Sequence, residues 1–275
     1  MAVLARGDRR PSDSGSPGDV ADAAPPSPAD PHDATARPRT GNAVPSPSVA
    51  AMFDEIAPVY DRLNTVMTFG RDRAWRTAAA DAADLLPGGA AIDVAAGTGK
   101  LAAVLADRVG PFGRVLAVDL SGGMIERARA DLPDLVQLEF RLADALDLSA
   151  PDGEFDAATI AFGLRNLADF EAGLRELRRV VRPGGRVVCL ELTIPRPAIW
   201  GAAFRAVFGI LVPLVGLLVG RSRRYGYLPA SLRGFPDAEA LAATMRGAGL
   251  VDVTVRRFAL GSVALHVGTV PADSG

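Results

Sequence analysis

From residue 51 onward, apolar positions along the chain follow two alternating rhythms. Short continuous apolar runs read as strands buried on both faces, and longer stretches with apolar residues every three or four positions read as amphipathic helices. Residues Met52 to Leu86 read as mostly helical, with breaks at Pro58 and near Gly70. A strand at 91–96, a helix from Thr98 to about 109 and a strand at 114–119 follow. A helix then runs from Ser121, whose side chain suits an N-cap, to about 131. Strands near 136–142 and at 155–161 come next, then a helix over 168–182 that stops at Pro183-Gly184-Gly185. The pattern closes with a strand at 186–193, a helix near 237–248 and strands near 251–258 and 262–269. This alternation predicts an α/β fold with a mostly parallel sheet, helices on both faces and an antiparallel edge strand. Ligands on such sheets bind beyond the carboxyl ends of the strands.

Two segments depart from the alternation. Residues 1–50 hold nine of the 21 prolines and no aromatic residue, so they bury too little apolar surface to fold and read as a disordered tail ahead of a domain at 51–275. They contain no continuous apolar stretch of the secretory kind, and six Asp against five Arg argue against an organellar presequence. The second departure is an insert at about 196–235. Its Ala198–Gly220 portion is apolar apart from Arg205, and Arg221, Arg223 and Arg224 follow. The length approaches the ~20 residues that span a bilayer. However, Pro213 and four glycines interrupt it, and a spanning helix would cut the last strands from their sheet. It reads as an apolar helical cap that binds a lipid tail or lies on a membrane surface, its arginines at the headgroups. A hairpin packed within the protein, or at a homodimer interface, is the alternative.

Composition narrows the chemistry. The net charge of -2 supplies no bulk field for nucleic acid. Lone Cys189 allows no internal disulfide, and with only His32 and His266 the chain is poor in metal ligands, so no metal site is expected. These features suit a cytoplasmic protein, peripheral at the inner face of the cell membrane if the insert lies there.

Three acids carry the chemical signal. Asp93 precedes the loop Ala96-Gly97-Thr98-Gly99, Asp119 ends the next strand 20 residues after Gly99, and Asp144 follows the third strand. The glycines allow a tight turn and close ligand approach. An acid at the Asp119 position suits a ribose diol. The loop also fits a dinucleotide fingerprint, so an NAD-dependent oxidoreductase competes with a site for S-adenosylmethionine. Asp93 stands where a pyrophosphate would be repelled, whereas a sulfonium and an ammonium would be attracted. Charge therefore favours S-adenosylmethionine.

Several segments together carry a resemblance. They include Tyr60-Asp61-Arg62-Leu63-Asn64, Met67-Thr68-Phe69-Gly70 with Trp75, Ala96-Gly97-Thr98-Gly99, Phe162-Gly163-Leu164-Arg165-Asn166 and Arg182-Pro183-Gly184-Gly185. Leu190-Glu191-Leu192, Tyr227-Leu228, Phe235-Pro236 and the run from Gly261 to His266 extend them. Over about 51–270 the chain resembles the ubiquinone/menaquinone biosynthesis C-methyltransferases. The resemblance implies a Rossmann-like class I methyltransferase fold. It also implies transfer of a methyl group from S-adenosylmethionine to a ring carbon of a prenylated quinol, demethylmenaquinol or a ubiquinone precursor. Cofactor contacts are implied at Thr98, Asp119, Asp144 and Ala145, beside Asp93, Gly97 and Gly99. Ala161 stands where the family often has Ser, which removes one side-chain hydrogen bond.

Ring methylation needs an aligned acceptor, a stabilised quinolate and a proton acceptor. Arg165, just past the fourth strand, is the expected quinolate-stabilising cation. Asn166 is expected to orient a ring oxygen, and Tyr60 and Asp61 to lie in a lid over the pocket. His266 has a side-chain pKa suited to proton transfer near neutral pH. A catalytically silent protein of the same fold is the remaining alternative.

Overall fold

A computed structural model describes residues 46–195 and 234–272 of the chain. Helices α1 (Ser46–Met67) and α2 (Asp72–Ala82) precede the sheet. Then follow β1 (Ala90–Val94), α3 (Lys100–Val109), β2 (Arg114–Asp119), α4 (Gly122–Asp131), β3 (Leu138–Leu142) and β4 (Phe155–Ala161). A single 3₁₀ turn, Leu164–Asn166, leads to α5 (Phe170–Val180) and β5 (Val181–Leu192). The closing elements are α6 (Ala238–Gly247), β6 (Val251–Phe258) and β7 (Val263–Thr269).

The seven strands lie in the order β3-β2-β1-β4-β5-β7-β6. Strands β1 to β5 pair in parallel, while β7 runs antiparallel to both β5 and β6. The antiparallel strand therefore sits one place in from the edge, which β6 occupies with five of its eight residues exposed. The chain winds outward from β1 to β3 and then crosses back to β4. That reversal opens a crevice beyond the ends of β1 and β4, the switch point where such sheets bind ligands.

Strict alternation of side chains divides the core into two layers. Ala91, Val115, Ala117, Ala157 and Leu190 face α2 and α3, packing with Trp75, Ala79, Leu101 and Leu105. Ile92, Val94, Leu116, Val118, Ala158, Ile160 and Cys189 face the other way, against Leu174 and Leu177 of α5 and Leu241 and Met245 of α6. Both faces of the central strands are dry, which is why β1, β2 and β4 read as short, mostly apolar runs.

Several boundaries differ from the sequence expectation. Helix α1 begins at Ser46, inside the span 1–50 whose composition suggests a disordered tail; the rest of that span lies outside the described residues. Strand β1 stops at Val94 because Ala95 turns into the left-handed region at φ 53°. Gly99, at φ 77°, delays α3 to Lys100. Strand β5 starts at Val181, pairing with Phe155 before a register shift, so Pro183-Gly184-Gly185 fall inside the strand span. Ser121 caps α4 as expected, accepting the Met124 N–H at 3.1 Å. The apolar insert lies outside the described residues, apart from its last two positions. Among the described residues no helix is long and apolar enough to cross a membrane.

Pro58 does not break α1, which continues through it. A proline there removes the bond to the carbonyl four residues back, that of Asp54. Helix α4 begins beside this spot, since a Cβ on Gly123 would lie 3.3 Å from the Asp54 carbonyl oxygen. The local weakness in α1 is thus backed by packing against α4. Pro58→Ala restores the missing helical bond, and amide hydrogen exchange over residues 54–62 will slow by about tenfold or more, given a helix-interior proline cost of ~3 kcal/mol.

Candidate active site

The crevice at the switch point is a small cleft, open to solvent on one side. Its floor is set by two adjacent chain reversals. Ala95 leaves β1 at φ 53° and Phe162 leaves β4 at φ 59°. Each is a non-glycine residue in the left-handed region, a strained conformation that tends to mark functional sites. The two turns touch: a Cβ on Gly163 would stand 2.5 Å from the Ala95 Cβ, so only glycine fits. From there one loop carries Gly97 and Thr98 toward β2, and the other carries Phe162, Gly163 and Asn166 along the cleft.

Asp119 joins the loops that follow β1 and β2. One carboxylate oxygen accepts the Gly97 N–H at 2.8 Å and the other the Ser121 N–H at 2.9 Å. Burial pushes this carboxyl above the usual range, and those N–H groups pull it back. Each oxygen keeps a lone pair for a ligand hydroxyl. Asp144 lines the far wall beside Ala145, braced by the Leu146 N–H at 3.0 Å. Asp93 is the exception among the expected acids. It is 1% exposed and lies beneath the floor, outside the cleft wall. Alternation along β1 explains this, because Asp93 faces α2 and α3. Thr159 Oγ1 donates to one of its oxygens at 2.6 Å, and the other has no partner. Burial raises its pKa to about 7.

Helix α1 roofs the cleft. Phe53 and Tyr60 meet edge to face at 6.0 Å and both line it. Two acids of α1, seven residues apart, fasten it. Asp54 accepts from Ser121 Oγ at 2.6 Å and the Gly123 N–H at 2.9 Å. Asp61 accepts from Thr98 Oγ1 at 2.8 Å, with Lys100 Nζ at 3.2 Å. Asp61 thus holds the lid to the glycine loop and does not line the cleft.

The expected catalytic residues divide. Tyr60 and Asn166 reach the cleft wall. Arg165 does not: it is 6% exposed and forms a buried ion pair with Glu191. Its guanidinium also donates to the Phe162 carbonyl at 2.6 Å, and its backbone N–H donates to Glu191 at 3.3 Å. A cation so neutralised is not available as the quinolate stabiliser; it holds the Phe162–Asn166 turn in shape. His266 is also misplaced by the sequence reading. It is fully buried in mid-strand on the α6 side, with Nε2 2.8 Å from the Ala238 carbonyl, and burial lowers its pKa. Sequence reasoning missed Asp54, Phe53 and the counter-charge role of Glu191. The only signal for Asp54 was its seven-residue spacing from Asp61 on one helix face.

Among the described residues no Lys, Arg or His lines the cleft, while Asp119 and Asp144 do. A pyrophosphate would meet two carboxylates and no side-chain cation there. A cationic adenosine derivative meets an acid at the ribose position, an acid at the third strand and apolar Met124 and Leu120 between. The residues fit S-adenosylmethionine and fit NAD poorly.

A 3-2-1-4-5-7-6 sheet with an acid-lined cleft at its switch point is the architecture of the Rossmann-like class I S-adenosylmethionine-dependent methyltransferases. The ubiE/COQ5 methyltransferase family matches residues 42–270, and the chain belongs to that family. It is similar to a demethylmenaquinone methyltransferase of Thermus thermophilus, 44% identical over 223 residues that cover 80% of this chain and 100% of that one. A demethylmenaquinone methyltransferase of Clavibacter sepedonicus is 41% identical over 82% of this chain and 91% of its own. A ubiquinone/menaquinone biosynthesis C-methyltransferase of Hahella chejuensis is 39% identical over 80% and 90%. Among solved structures, a SAM-dependent methyltransferase of Thermotoga maritima superposes with a TM-score of 0.57 at 19% identity, covering 80% of this chain and 98% of its own. The [4+2]-cyclase SpnF gives the same TM-score and identity over 84% and 99%. That fold therefore carries more than one chemistry.

Two outcomes follow from this geometry. Gly163→Ala drives a methyl group into Ala95, and thermal or denaturant unfolding will show a loss of about 1–3 kcal/mol. A carboxyl raised in the folded state holds its proton more tightly there than in the unfolded chain. Asp93 therefore costs nothing below pH 3.8 and lowers stability progressively as pH rises to about 7. Asp93→Asn will remove that slope, up to about 4 kcal/mol between pH 4 and 7, in urea unfolding measured against pH.

Proposed function

We propose that the chain methylates a ring carbon of a prenylated quinol, converting demethylmenaquinol to menaquinol. The observation that carries this reading is a cleft lined by acids and, among the described residues, by no cation, in a chain that aligns along the whole length of a demethylmenaquinone methyltransferase. Bound S-adenosylmethionine supplies an electrophilic methyl group on its sulfonium. Asp119 takes the ribose hydroxyls and Asp144 the adenine amino group, and Ala145 shapes the same wall, while Thr98 lies outside it and holds the glycine loop to Asp61 of the roof. Asn166 and Tyr60, at the wall next to Phe162, orient a ring oxygen of the quinol by hydrogen bonding. The acceptor would lose a hydroxyl proton to water, its ring carbon would take the methyl as the sulfonium C–S bond breaks and leaves its electron pair on a neutral thioether, and the ring proton would pass to water to restore aromaticity. Arg165 and Glu191 act at one remove, by fixing the turn that presents Asn166. Roof residues Phe53 and Tyr60 exclude water from the reacting centre. The insert at 196–235 takes the prenyl tail, with the enzyme peripheral at the inner face of the membrane.

Relatives named for both quinone types leave the ring to experiment. With labelled S-adenosylmethionine and demethylmenaquinol, label will appear in menaquinol. Label entering only a ubiquinol precursor would replace the naphthoquinol by a benzoquinol, and label entering neither would end the reading. Asp119→Ala will weaken S-adenosylmethionine binding about 10- to 100-fold by calorimetry, the loss expected for charge-assisted hydrogen bonds.

A further inference from the structure

Phe69 and Leu260 are strained and exposed at once. Helix α1 ends with the Gly70 N–H donating to the Thr65 carbonyl at 2.8 Å and the Phe69 N–H donating to the Val66 carbonyl at 3.2 Å. That pair of bonds puts Phe69 at the left-handed position where helices usually end in glycine. Phe69 adopts φ 51° there and is 87% exposed. Leu260, at the tip between β6 and β7, adopts φ 56° and is 84% exposed. A bulky residue at positive φ is strained, and an exposed one gains no burial to offset the strain. Neither side chain serves the fold of the lone chain.

Both tips stand on the rim that carries the cleft. Strand β6 runs parallel to β5, since both are antiparallel to β7, so Phe258 and the turn after it lie at the carboxyl end of the parallel strands. Helix α2 runs the other way. Arg186, opposite the start of β4, donates to the carbonyl of Ala82, the last residue of α2, so the first turn of α2 lies at the cleft rim. Trp75 in that turn meets Phe162 and Phe258, each at 6.5 Å between ring centroids. Thr68 Oγ1 donates to the Asp72 carboxylate at 3.2 Å and anchors the end of α1 to the same turn. Val66, also exposed, extends the apolar corner.

Charge names the partner. Arg62, Arg71 and Arg73 are exposed around Phe69 and have no ion-pair partner among the described residues. Arg256 stands 4.9 Å over the Phe258 ring, behind Leu260. The sole acid in residues 62–74 is Asp72, which is buried, and residues 255–265 hold none. The corner is thus cationic in a chain whose net charge is -2. The opposite rim also exposes Leu86, Phe112 and Val136, but exposed Asp107 and Asp134 accompany them, the wrong sign for an anionic surface. Apolar tips ringed by arginines suit a lipid headgroup layer. We infer that the corner of Val66, Phe69 and Leu260 docks on an anionic bilayer, its apolar side chains entering between headgroups and its arginines meeting lipid phosphates. The inference rests on the peripheral placement proposed above and names the face that makes it. Docked this way, the rim that carries the cleft faces the bilayer that holds a prenylated acceptor.

Co-sedimentation of the full chain with vesicles tests this, with phosphatidylcholine alone and with phosphatidylcholine mixed with phosphatidylglycerol. The wild type will bind the mixed vesicles, and the neutral ones more weakly. Asn accepts left-handed backbone, so Phe69→Asn combined with Leu260→Asn will keep the thermal midpoint or raise it. That double variant will bind the mixed vesicles about tenfold more weakly or worse, from the lost burial of two large apolar side chains. It will methylate a quinol without a prenyl tail at the wild-type rate. Arg62→Gln, Arg71→Gln and Arg73→Gln together will lose about fivefold per arginine on the mixed vesicles. If the double variant unfolds, the arginine variant carries the test alone. Undiminished binding by either folded variant would place the contact elsewhere on the chain and overturn the inference. So would a wild type that binds neither kind of vesicle, or both equally. A wild type that binds the mixed vesicles but methylates no quinol would leave the docking face standing and sink the proposed reaction instead.

Discussion

The contact between Gly163 and Ala95 is the constraint on which the site depends. Neighbouring parallel strands end side by side, and both chains must turn at once in the same small space. Ala95 and Phe162 adopt left-handed backbone to do so, and the absent side chain of Gly163 makes room. The turns then diverge. One delivers the glycine loop to Asp119, the other delivers Phe162 and Asn166 to the cleft. Strain of about 1–3 kcal/mol at each turn is held by the dry, two-sided packing of β1 and β4. The rigid sheet thus fixes positions that loops alone would leave mobile.

Charge is sorted by depth around these turns. Ionised groups at the cleft wall are acidic, and the buried cations stand behind it. Arg165 is spent on Glu191 and on the carbonyl of the strained Phe162, so it stabilises the turn that a sequence reading would have it serve from within. A buried ion pair of this kind is a geometric device more than a source of stability. It fixes the register of Asn166 against the wall.

The sheet was legible because strands buried on both faces leave short, mostly apolar runs, and β2 and β4 match their predicted limits. Asp119 and Asp144 were legible because strand ends on such a sheet share one rim. What escaped prediction depended on tertiary contact. Pro58 lies inside a helix because α4 packs beside the carbonyl it orphans. Arg165 and Glu191 lie on different elements, and no spacing announces that one neutralises the other. His266 has a suggestive side chain, yet its place in mid-strand puts it against α6, away from the rim. Asp93 was expected in the cleft with the other two acids, but the two-residue period of β1 turns it toward α2 beneath the floor, and that requires knowing which layer lies on which side.

The roof helix has its own consequence. Asp54 and Asp61 stand two helical turns apart on one side of α1, each clasping the start of a different helix beneath. Rolling α1 about its axis would release both clasps together, whereas tilting it would release one and keep the other as a pivot. Because the clasped groups begin the helices beside the cleft, the doorway and the cleft wall share their fittings. Any movement of α1 that opens the cleft would also disturb the wall it covers.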